Sequence, residues 1–452
     1  MRLIAAVLLG VVAGALYTVS PLAAWCVPLA AVVLFFAGRG LPPNERHWLK
    51  VLLVLALATR LVAIGFLFVV NTPLHDDESV AMLNGDEAYG LSRALRTRDV
   101  LTHAPVTQYD YFVAYDEYGR NSYITFLTTM QILFGPTPYS MRLFNALLFM
   151  SASVLLFRMS RSAFGAAAAF GGLTAMLFLP TLFYWSISLL KEPLYLLAGT
   201  LTLTGAAART SSWRTRILPF VAIVAGIVLT SGLRTGGFAL IAAGLGCGFV
   251  ILAFFSSRPG IKMAMLGAVL GIAFALSSVP SARQRVMSAL ESAAKTHAGH
   301  VFTLGHSYKL LDDGFYVNPV TAAASSLTLT APEAARYVIR AAVSFVTVPL
   351  PWELASTREL SYLPEQLLWY ALVALFPLGL FAGWTRDRLV TALLAGFVVP
   401  TAAALALTNG NVGTLLRLRG MVIPYVVWIS AVGFFAALQR YGSTSRAAQV
   451  IA

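Results

Sequence analysis

Two adjacent carboxylates, Asp86 and Glu87, are the residues whose type and setting best suit chemistry. They open the first long polar stretch of a very apolar sequence, residues 84–145, and directly precede a short helical pattern. Acidic side chains at a helix N-terminus are stabilised by the unpaired N–H groups and by the helix dipole. The pair therefore fits either a helix cap or a catalytic carboxylate held at a membrane surface, and both interpretations stay open on these residues alone.

Composition places these carboxylates on a membrane protein. Of the 452 residues, 58% are hydrophobic and 11% are charged, whereas a soluble domain carries about 25% charged residues. An excess of Lys and Arg in cytoplasmic loops explains the net charge of +13, so we expect no nucleic-acid partner. Cys26 and Cys247 lie in apolar stretches and are expected to be small core residues rather than a disulfide.

Apolar stretches long enough to cross a bilayer, roughly 20 residues each, occur about twelve times. We therefore expect an all-α polytopic membrane protein with about twelve transmembrane helices, the first of them uncleaved. The predicted spans are residues 2–19, 22–38, 49–70, 141–160, 163–181, 183–207, 216–233, 236–255, 262–279, 366–384, 388–408 and 418–438.

Basic residues give these spans an orientation. When the N-terminus is placed in the cytoplasm, every second loop carries Arg or Lys, as the positive-inside rule requires. Two long segments, 71–138 and 280–365, then lie on the other face, which is the periplasmic side of a bacterial inner membrane. Long loops are commonly functional. We expect 280–300 to form a short amphipathic helix and 331–350 a helix that lies on, or dips into, the membrane.

The predicted spans and loops divide the chain into four regions. Residues 1–48 form an extra N-terminal transmembrane hairpin, and 49–279 form a transmembrane core that includes the first long loop. The second long loop covers 280–365, and 366–452 supply the C-terminal transmembrane helices.

Several charged residues near the outside ends of the spans run against the orientation rule. A single such residue can snorkel to lipid headgroups. Several cations on the same side as an acidic pair instead make a site suited to a phosphate or diphosphate, which Arg binds through its planar fork of donors. These residues are Arg142, Lys191 with Glu192, Arg234, Arg417 and Arg419.

Arg417 and Arg419 are two residues apart, so a helix would direct them to different faces. One is expected to bind the ligand and the other to anchor the helix, and the sequence does not choose between them. Arg60, in the middle of the third span, is expected to find partners inside the bundle.

A second acidic run, Asp76-Asp77-Glu78, fits a solvated turn or a ligand set for a hard cation. No motif requires a cofactor, and a divalent metal, Mg²⁺ or Mn²⁺, is the one that such carboxylates would suit. The histidines show no metal-ligand spacing.

The order of motifs resembles that of the C-type (GT-C) integral membrane glycosyltransferases, in particular the branch of protein mannosyltransferases and lipid A aminoarabinose transferases. The resemblance covers about 62–207, and in the C-terminal half it rests on Arg417 and Arg419 before Pro424. The residues that carry it are Asp86-Glu87-Ala88-Tyr89, Tyr118-Gly119-Arg120 with Tyr123, Gly135-Pro136-x-Pro138 followed by Arg142-Leu143-x-Asn145, and Ser188-Leu189-Leu190-Lys191-Glu192-Pro193.

This resemblance implies a polyprenyl-phosphate-linked sugar as donor and a catalytic Asp in the first large outside loop, which is Asp86 with Glu87 beside it. A second acidic position of the family matches Glu192. The chain departs from the family by the hairpin at about 2–38 and by a C-terminal segment too short for the soluble domain that some members carry. The short C-terminus argues for a lipid or glycan acceptor rather than a protein.

The expected reaction is sugar transfer at the periplasmic face of the inner membrane. Asp86 accepts the proton of an acceptor hydroxyl, which attacks the anomeric carbon and inverts it. Cations hold the charge of the leaving lipid phosphate, because stabilising the charge that develops is usually the largest catalytic term. The candidates for phosphate binding are Lys191, Arg234, Arg417 and Arg419. The candidates for sugar contact are Tyr89, Trp352 and Glu353, and packing at the membrane interface fits Trp352 equally well.

Three other functions compete with this one. A polysaccharide polymerase or ligase, acting on polyprenyl-diphosphate-linked glycans such as O-antigen or exopolysaccharide, would depend on Arg234, Arg417 and Arg419 more than on Asp86. A transporter of lipid-linked sugars would place its charges near mid-membrane and show repeats, which the sequence lacks. A non-catalytic subunit of an envelope assembly would tolerate the loss of Asp86.

Overall fold

A computed structural model describes residues 20–71, 83, 85–117, 121–208, 213–234, 236–256, 258–316, 328–354, 356 and 360–451, with 10, 11, 14, 17 and 18 near the N-terminus. Throughout these residues the chain is helical or irregular, and its one β pairing is an isolated bridge between Ser307 and Asn411. The predicted all-α fold class is confirmed.

The helices are numbered here in chain order. They are α1 Pro21–Gly38, α2 Pro43–Asn71, α3 Gly85–Leu101, α4 Gln108–Tyr115, α5 Ser122–Phe134, α6 Pro138–Phe164, α7 Ala166–Phe178, α8 Pro180–Ile187, α9 Glu192–Ala207, α10 Trp213–Leu233, α11 Gly237–Phe254, α12 Pro259–Ser278, α13 Pro280–Val301, α14 Ala331–Thr347, α15 Leu363–Arg386, α16 Arg388–Thr408, α17 Val412–Arg419 and α18 Ile423–Ile451.

Eight helices in the described part of the chain are long and apolar enough to cross a membrane, and a ninth is added if α7 and α8, bent by 60°, form one span. On α2, Val62 is 73% exposed and Phe66 is 65% exposed. Such large apolar side chains stay on an outer surface when lipid rather than water covers it. The protein is therefore a multi-pass membrane protein. The eight helices are α1, α2, α6, α11, α12, α15, α16 and α18 up to Arg440.

The predicted spans agree with the helices except in four places. The predicted span 163–181 crosses Leu179, where α7 ends and α8 begins with a bend of 60°. The predicted helix 183–207 is interrupted, because residues 188–191 are not helical and α9 begins at Glu192. The predicted start at 418 is wrong, because Arg419 ends the short helix α17 and the span begins at Ile423. Most of the predicted span 2–19 lies outside the described residues. The count of twelve stays a prediction.

The chain divides into two compact units, Met1–Ile241 and Ala242–Ala452. In the first unit α6 is the central helix and packs against α1, α2, α7, α8 and α9. Pro138 starts α6, where its fixed φ and missing N–H fit the first turn. Near the far end of α6, Arg161 pairs with Glu45 at 2.8 Å, and Arg158 donates to the carbonyl of Arg39 at 2.8 Å. Two groups of residues predicted to be cytoplasmic therefore meet at one end of this helix.

In the second unit α15 packs along α18, and α16 contacts α13, α14, α15, α17 and α18. The closest approach of α15 and α18 uses two glycines. A Cβ at Gly379 would lie 1.9 Å from the carbonyl oxygen of Ile429, and one at Gly433 would lie 2.3 Å from that of Leu375. Only glycine allows the two backbones to come this close.

Both helices predicted in the second long loop are present as α13 and α14. Thr330 and Glu333 form a capping box that starts α14. Side chains from this loop bind the last carbonyls of α16, which have no partner inside their own helix. The His300 Nδ1 lies 2.7 Å from the Thr408 carbonyl oxygen, and the Tyr308 hydroxyl donates to the Asn409 carbonyl at 2.6 Å.

Candidate functional site

The acidic pair lies in the first turn of α3, as predicted, but its two members face different surroundings. Asp86 is exposed at the surface of the first unit, whereas Glu87 is completely buried. Consecutive helical residues point about 100° apart, so one can face solvent while the next enters the core. The two carboxylates therefore have separate roles.

The Glu87 carboxylate is held on both oxygens. Its Oε1 lies 2.7 Å from Arg142 Nη1, and the side chains of both residues have no exposed surface. The same oxygen accepts a hydrogen bond from the Leu189 amide at 2.6 Å, and Oε2 accepts one from the Leu83 amide at 2.7 Å. One guanidinium and two backbone amides therefore hold this buried carboxylate through charge-assisted hydrogen bonds. It links α3, α6 and the non-helical segment after α8.

This non-helical segment, residues 188–191, is called the 188–191 break. Arg142 Nη1 donates to the carbonyl of Ile187 at 2.9 Å, and Asn145 Nδ2 donates to the carbonyls of Ser188 at 2.8 Å and Leu190 at 3.2 Å. Backbone groups inside an apolar bundle need such partners where a helix is interrupted. Because Arg142 and Asn145 lie three residues apart on α6, they face the same break.

The predicted substrate-binding role of Arg142 does not fit this geometry. Its guanidinium is fully buried, and it contacts Glu87 and a backbone carbonyl. Likewise, Glu87 was predicted to belong to the catalytic pair, and the bonds on both of its oxygens place it in the support of the site. Asp86 is the exposed member of the pair.

Lys191 and Glu192 follow directly from the break. Lys191 is half-buried and precedes the first turn of α9, and Glu192, at the start of that helix, is 6% exposed. Among the described residues no hydrogen-bond donor reaches Glu192 Oε2. The hydrogen bond from Leu189 to Glu87 places this stretch of chain against the start of α3. The structure thus joins two motifs that lie about a hundred residues apart in sequence.

Arg234 lies at the same end of α9. It is half-buried in the short connection between α10 and α11. A Cβ at Gly237 would lie 3.2 Å from the Tyr195 ring and 3.4 Å from the Cβ of Arg234, so the ring packs against this connection. The Tyr195 amide donates to the Lys191 carbonyl at 2.9 Å. One end of the first unit therefore carries an exposed carboxylate and two half-buried cations.

Tyr89 belongs to a second anchor of α3, which sequence reasoning missed. Its hydroxyl accepts from Arg93 Nη1 at 2.9 Å, and the ring is 40% exposed. Arg93 is 1% exposed, and its Nη2 also donates to the carbonyl of Asp116. The signal available in the sequence was the spacing of Tyr89 and Arg93, since residues four apart on a helix lie on the same face.

In the second unit, Arg419 is an anchor. It is 1% exposed, its Nη1 donates to Gln366 Oε1 at 2.8 Å, and its Nη2 donates to the carbonyls of Phe345 and Val348. Its guanidinium lies 5.5 Å from the centroid of the Phe345 ring and 5.3 Å from that of Trp369. A phosphate cannot reach this group without displacing those partners. The choice that the sequence left open therefore falls on Arg419 as the anchor.

The remaining candidates of the second unit are more accessible. Arg417 is half-buried, Glu353 is exposed, and Trp352 is 79% exposed in a short 3₁₀ turn, Pro351–Glu353. Side chains so exposed suit contact with a membrane interface as well as with a sugar.

The two expectations about Arg60 and metals have different outcomes. Arg60 does find partners inside the bundle, since its guanidinium donates to Ser186 Oγ at 2.8 Å and to the carbonyls of Ala56 and Leu177, each at 2.9 Å. The acidic run 76–78 lies outside the described residues. In the part of the chain that is described, no three His, Cys, Asp or Glu side chains group as metal ligands. Both cysteines are free; Cys26 is buried, as expected of a core residue, whereas Cys247 is only half-buried.

A scan against family models finds no match to this chain, a search of curated proteins finds no similar sequence, and a search of solved structures finds no similar fold.

Proposed function

We propose that this protein is a membrane glycosyltransferase that moves a sugar from a polyprenyl-phosphate carrier to a lipid or glycan acceptor. The proposal rests on the different surroundings of the two adjacent carboxylates. Glu87 is buried and bound on both oxygens, and it fixes α3 against the 188–191 break. Its neighbour Asp86 is exposed on that helix, and the hydrogen bond from Leu189 to Glu87 brings the chain that leads to Lys191 to the same helix.

In the proposed reaction Asp86 is the general base. It accepts the proton of an acceptor hydroxyl as that oxygen attacks the anomeric carbon of the donor, and a base in this role contributes roughly 10²–10⁴-fold in rate. The bond between the anomeric carbon and the phosphate oxygen breaks on the opposite face, so the sugar is transferred with inversion. The lipid phosphate leaves with the electron pair of that bond.

Lys191 and Arg234 are the cations proposed to balance this leaving phosphate. Both are half-buried at the end of α9, where partial removal from water strengthens their attraction for an anion. Arg142 and Arg419 are not assigned this role, because their guanidiniums are buried against protein acceptors. The rival polymerase or ligase would need three arginines to bind a diphosphate. One of these, Arg419, is buried against protein acceptors.

The membrane setting of the proposal is the periplasmic face of a bacterial inner membrane. It rests on the positive-inside rule. It is supported by the distance along α6 between the Glu87–Arg142 pair and the basic cluster at Arg158 and Arg161. Arg142 and Arg161 lie 19 residues apart on that helix, which at 1.5 Å per residue is about 28 Å and close to the hydrocarbon thickness of a bilayer, about 30 Å.

The test compares purified full-length wild type with Asp86→Asn in liposomes. Labelled polyprenyl-phosphate sugars serve as a donor panel, and a membrane-lipid extract serves as acceptor. Asn keeps the shape of the side chain and removes the base, so transfer should fall by about a hundredfold or more. The control is Glu117→Gln, the same kind of change at an exposed carboxylate of the same loop region, and it should leave transfer unchanged.

Full activity of Asp86→Asn would contradict the general-base role. If Arg234→Gln then abolished transfer from diphosphate-linked glycans, the polymerase or ligase function would replace the one proposed.

A further inference from the structure

Helix α14 lies at the level where two candidate spans end. The Tyr337 hydroxyl donates to the carbonyl of Leu407, next to the last residue of α16. At the other end of α14, the carbonyl of Thr347 accepts from the Tyr370 hydroxyl at 2.6 Å, in the second turn of α15. These two hydrogen bonds hold α14 beside the ends of both spans.

The sides of α14 differ in their surroundings. Tyr337, Ala341 and Phe345 are buried against the rest of the unit. Ile339, by contrast, is 64% exposed and Val343 is 56% exposed. Residues four apart lie on the same face of a helix, so these two side chains form an apolar outer strip. At a membrane interface such a strip is covered by lipid.

Two arginines border this strip. Arg336 and Arg340 are also four residues apart, and their side chains are 55% and 46% exposed. Both reach a single carboxylate. Arg336 Nη2 lies 3.7 Å from Asp312 Oδ2, and Arg340 Nη1 lies 3.2 Å from Asp312 Oδ1. Two guanidiniums that converge on one pair of oxygens have the geometry that also binds a phosphate.

The other charges of this surface are already engaged. Asp313 pairs with Lys309 at 2.7 Å, and Glu333, one turn before Arg336, accepts from the amide and hydroxyl of Thr330. Asp312 is 54% exposed and belongs to the loop before α14, so a ligand can replace it without opening the core.

We propose that the outer face of α14 is a docking surface for an anionic phospholipid. The headgroup phosphate binds Arg336 and Arg340 in the place that Asp312 occupies, and an acyl chain lies against Ile339 and Val343. Trp352, 79% exposed just beyond the C-terminal end of the helix, anchors the same surface at the interface. The inference goes beyond sugar transfer, and its outcome does not depend on that activity.

The probe is dioleoyl phosphatidylglycerol, titrated into the detergent-purified full-length protein and compared with dioleoyl phosphatidylcholine. Native mass spectrometry counts the bound lipids. A basic residue near an anionic lipid contributes about 1 kcal/mol, so Arg336→Gln with Arg340→Gln should weaken phosphatidylglycerol binding about thirtyfold. Asp312→Asn removes the competing carboxylate, so it should strengthen that binding.

A control variant carries Arg283→Gln and Arg285→Gln on α13. These two exposed arginines give the same change in net charge, but they are two residues apart, and no carboxylate among the described residues bridges them. The control should bind phosphatidylglycerol as wild type does. Inorganic phosphate at millimolar concentration tests for a free-phosphate site and should not displace the lipid, because it lacks the acyl chain.

Unchanged binding in the Arg336→Gln, Arg340→Gln variant would overturn the proposal, and so would equal loss in the α13 control. Weaker binding in Asp312→Asn would show that the three residues form a structural cluster only. Displacement by inorganic phosphate would assign the pair to a soluble anion. Thermal unfolding of each variant verifies that every comparison is made on folded protein.

Discussion

The buried pair of Glu87 and Arg142 gives the sharpest prediction. The perturbation is Glu87→Gln, which keeps the size of the side chain and removes its charge. Gln has one acceptor oxygen, whereas the native carboxylate receives Arg142, the Leu189 amide and the Leu83 amide on two oxygens. The variant therefore leaves the Arg142 cation without its counter-charge and turns an NH₂ group toward a backbone donor.

The magnitude follows from complete burial. Both side chains have no exposed surface, so solvent cannot compensate for the lost charge. Breaking a buried ion pair on one side costs about 3–5 kcal/mol. A destabilisation of 1 kcal/mol lowers the midpoint of thermal unfolding by about 2–4 °C in a unit of this size. Glu87→Gln should therefore lower the midpoint by about 10 °C.

The assay is thermal unfolding in lipid nanodiscs, with hydrogen exchange of residues 188–191 as a local readout. Asp86→Asn is the matched control, since it makes the same change one residue earlier on an exposed side chain and should alter stability by less than about 0.5 kcal/mol. Arg142→Gln added to Glu87→Gln should recover part of the loss, because no unpaired charge remains. Native stability of Glu87→Gln alone would refute the reasoning.

Three further predictions concern other groups. Asn145→Ala removes the donor from two carbonyls of the 188–191 break. The free energy of unfolding should fall by about 2 kcal/mol, and hydrogen exchange of that segment should become faster. Unchanged exchange would contradict this prediction. Arg419→Gln should destabilise the second unit by about 3 kcal/mol because its buried acceptors lose their donor, whereas Arg417→Gln should leave thermal unfolding nearly unchanged; equal midpoints for the two variants would argue against the assignment of Arg419 as anchor. Burial lowers the pKa of His297 to about 4 from 6.5, so the unfolded chain takes up this proton at a higher pH than the folded chain. The contribution of His297 to stability should be complete above pH 6.5 and should fall by up to about 3 kcal/mol as the pH falls to 4. In His297→Gln, the free energy of unfolding measured against pH should no longer show this decrease.

The sequence located the acidic pair at a helix N-terminus because local rules decide such positions. Asp86 and Glu87 precede an amphipathic pattern, and α3 begins one residue before them. The pattern could not say which of the two enters the core. That depends on Arg142, which lies on another helix and approaches only in the folded chain. Local sequence preferences therefore predict helix α3, whereas contacts with other helices decide the different roles of Asp86 and Glu87.

The 188–191 break shows the same limit. Hydropathy alone favoured one span over 183–207, because the apolar residues Leu189 and Leu190 continue it and a single Ser188 does not interrupt it. Pro193 was the signal for a new helix, since proline fits the first turn, and here it is the second residue of α9. What permits the break is the amide of Asn145, which binds two of its carbonyls. No rule based on a single segment includes such a partner.

The choice between Arg417 and Arg419 was also out of reach of the sequence. Their spacing correctly indicated different faces, but the acceptors of Arg419 come from Gln366 on α15 and from the carbonyls at the end of α14. A buried cation is explained by groups that converge on it from distant segments. For the same reason the interior partners of Arg60 could be expected but not named.

The two buried anchors of α3 fix its rotation about its own axis. Glu87 and Arg93 are six residues apart, so their side chains leave the helix in directions about 120° apart, and each is bound to a different part of the unit. Inserting one alanine between Gly85 and Asp86 would keep Asp86 beside Glu87. Inserting it between Asp86 and Glu87 would turn Asp86 by about 100°, while the bonds of Glu87 to Arg142 and Leu189 and the contacts of Arg93 stay in place. The direction in which the Asp86 side chain leaves the helix can therefore be changed by inserting single residues, while the residue itself stays the same.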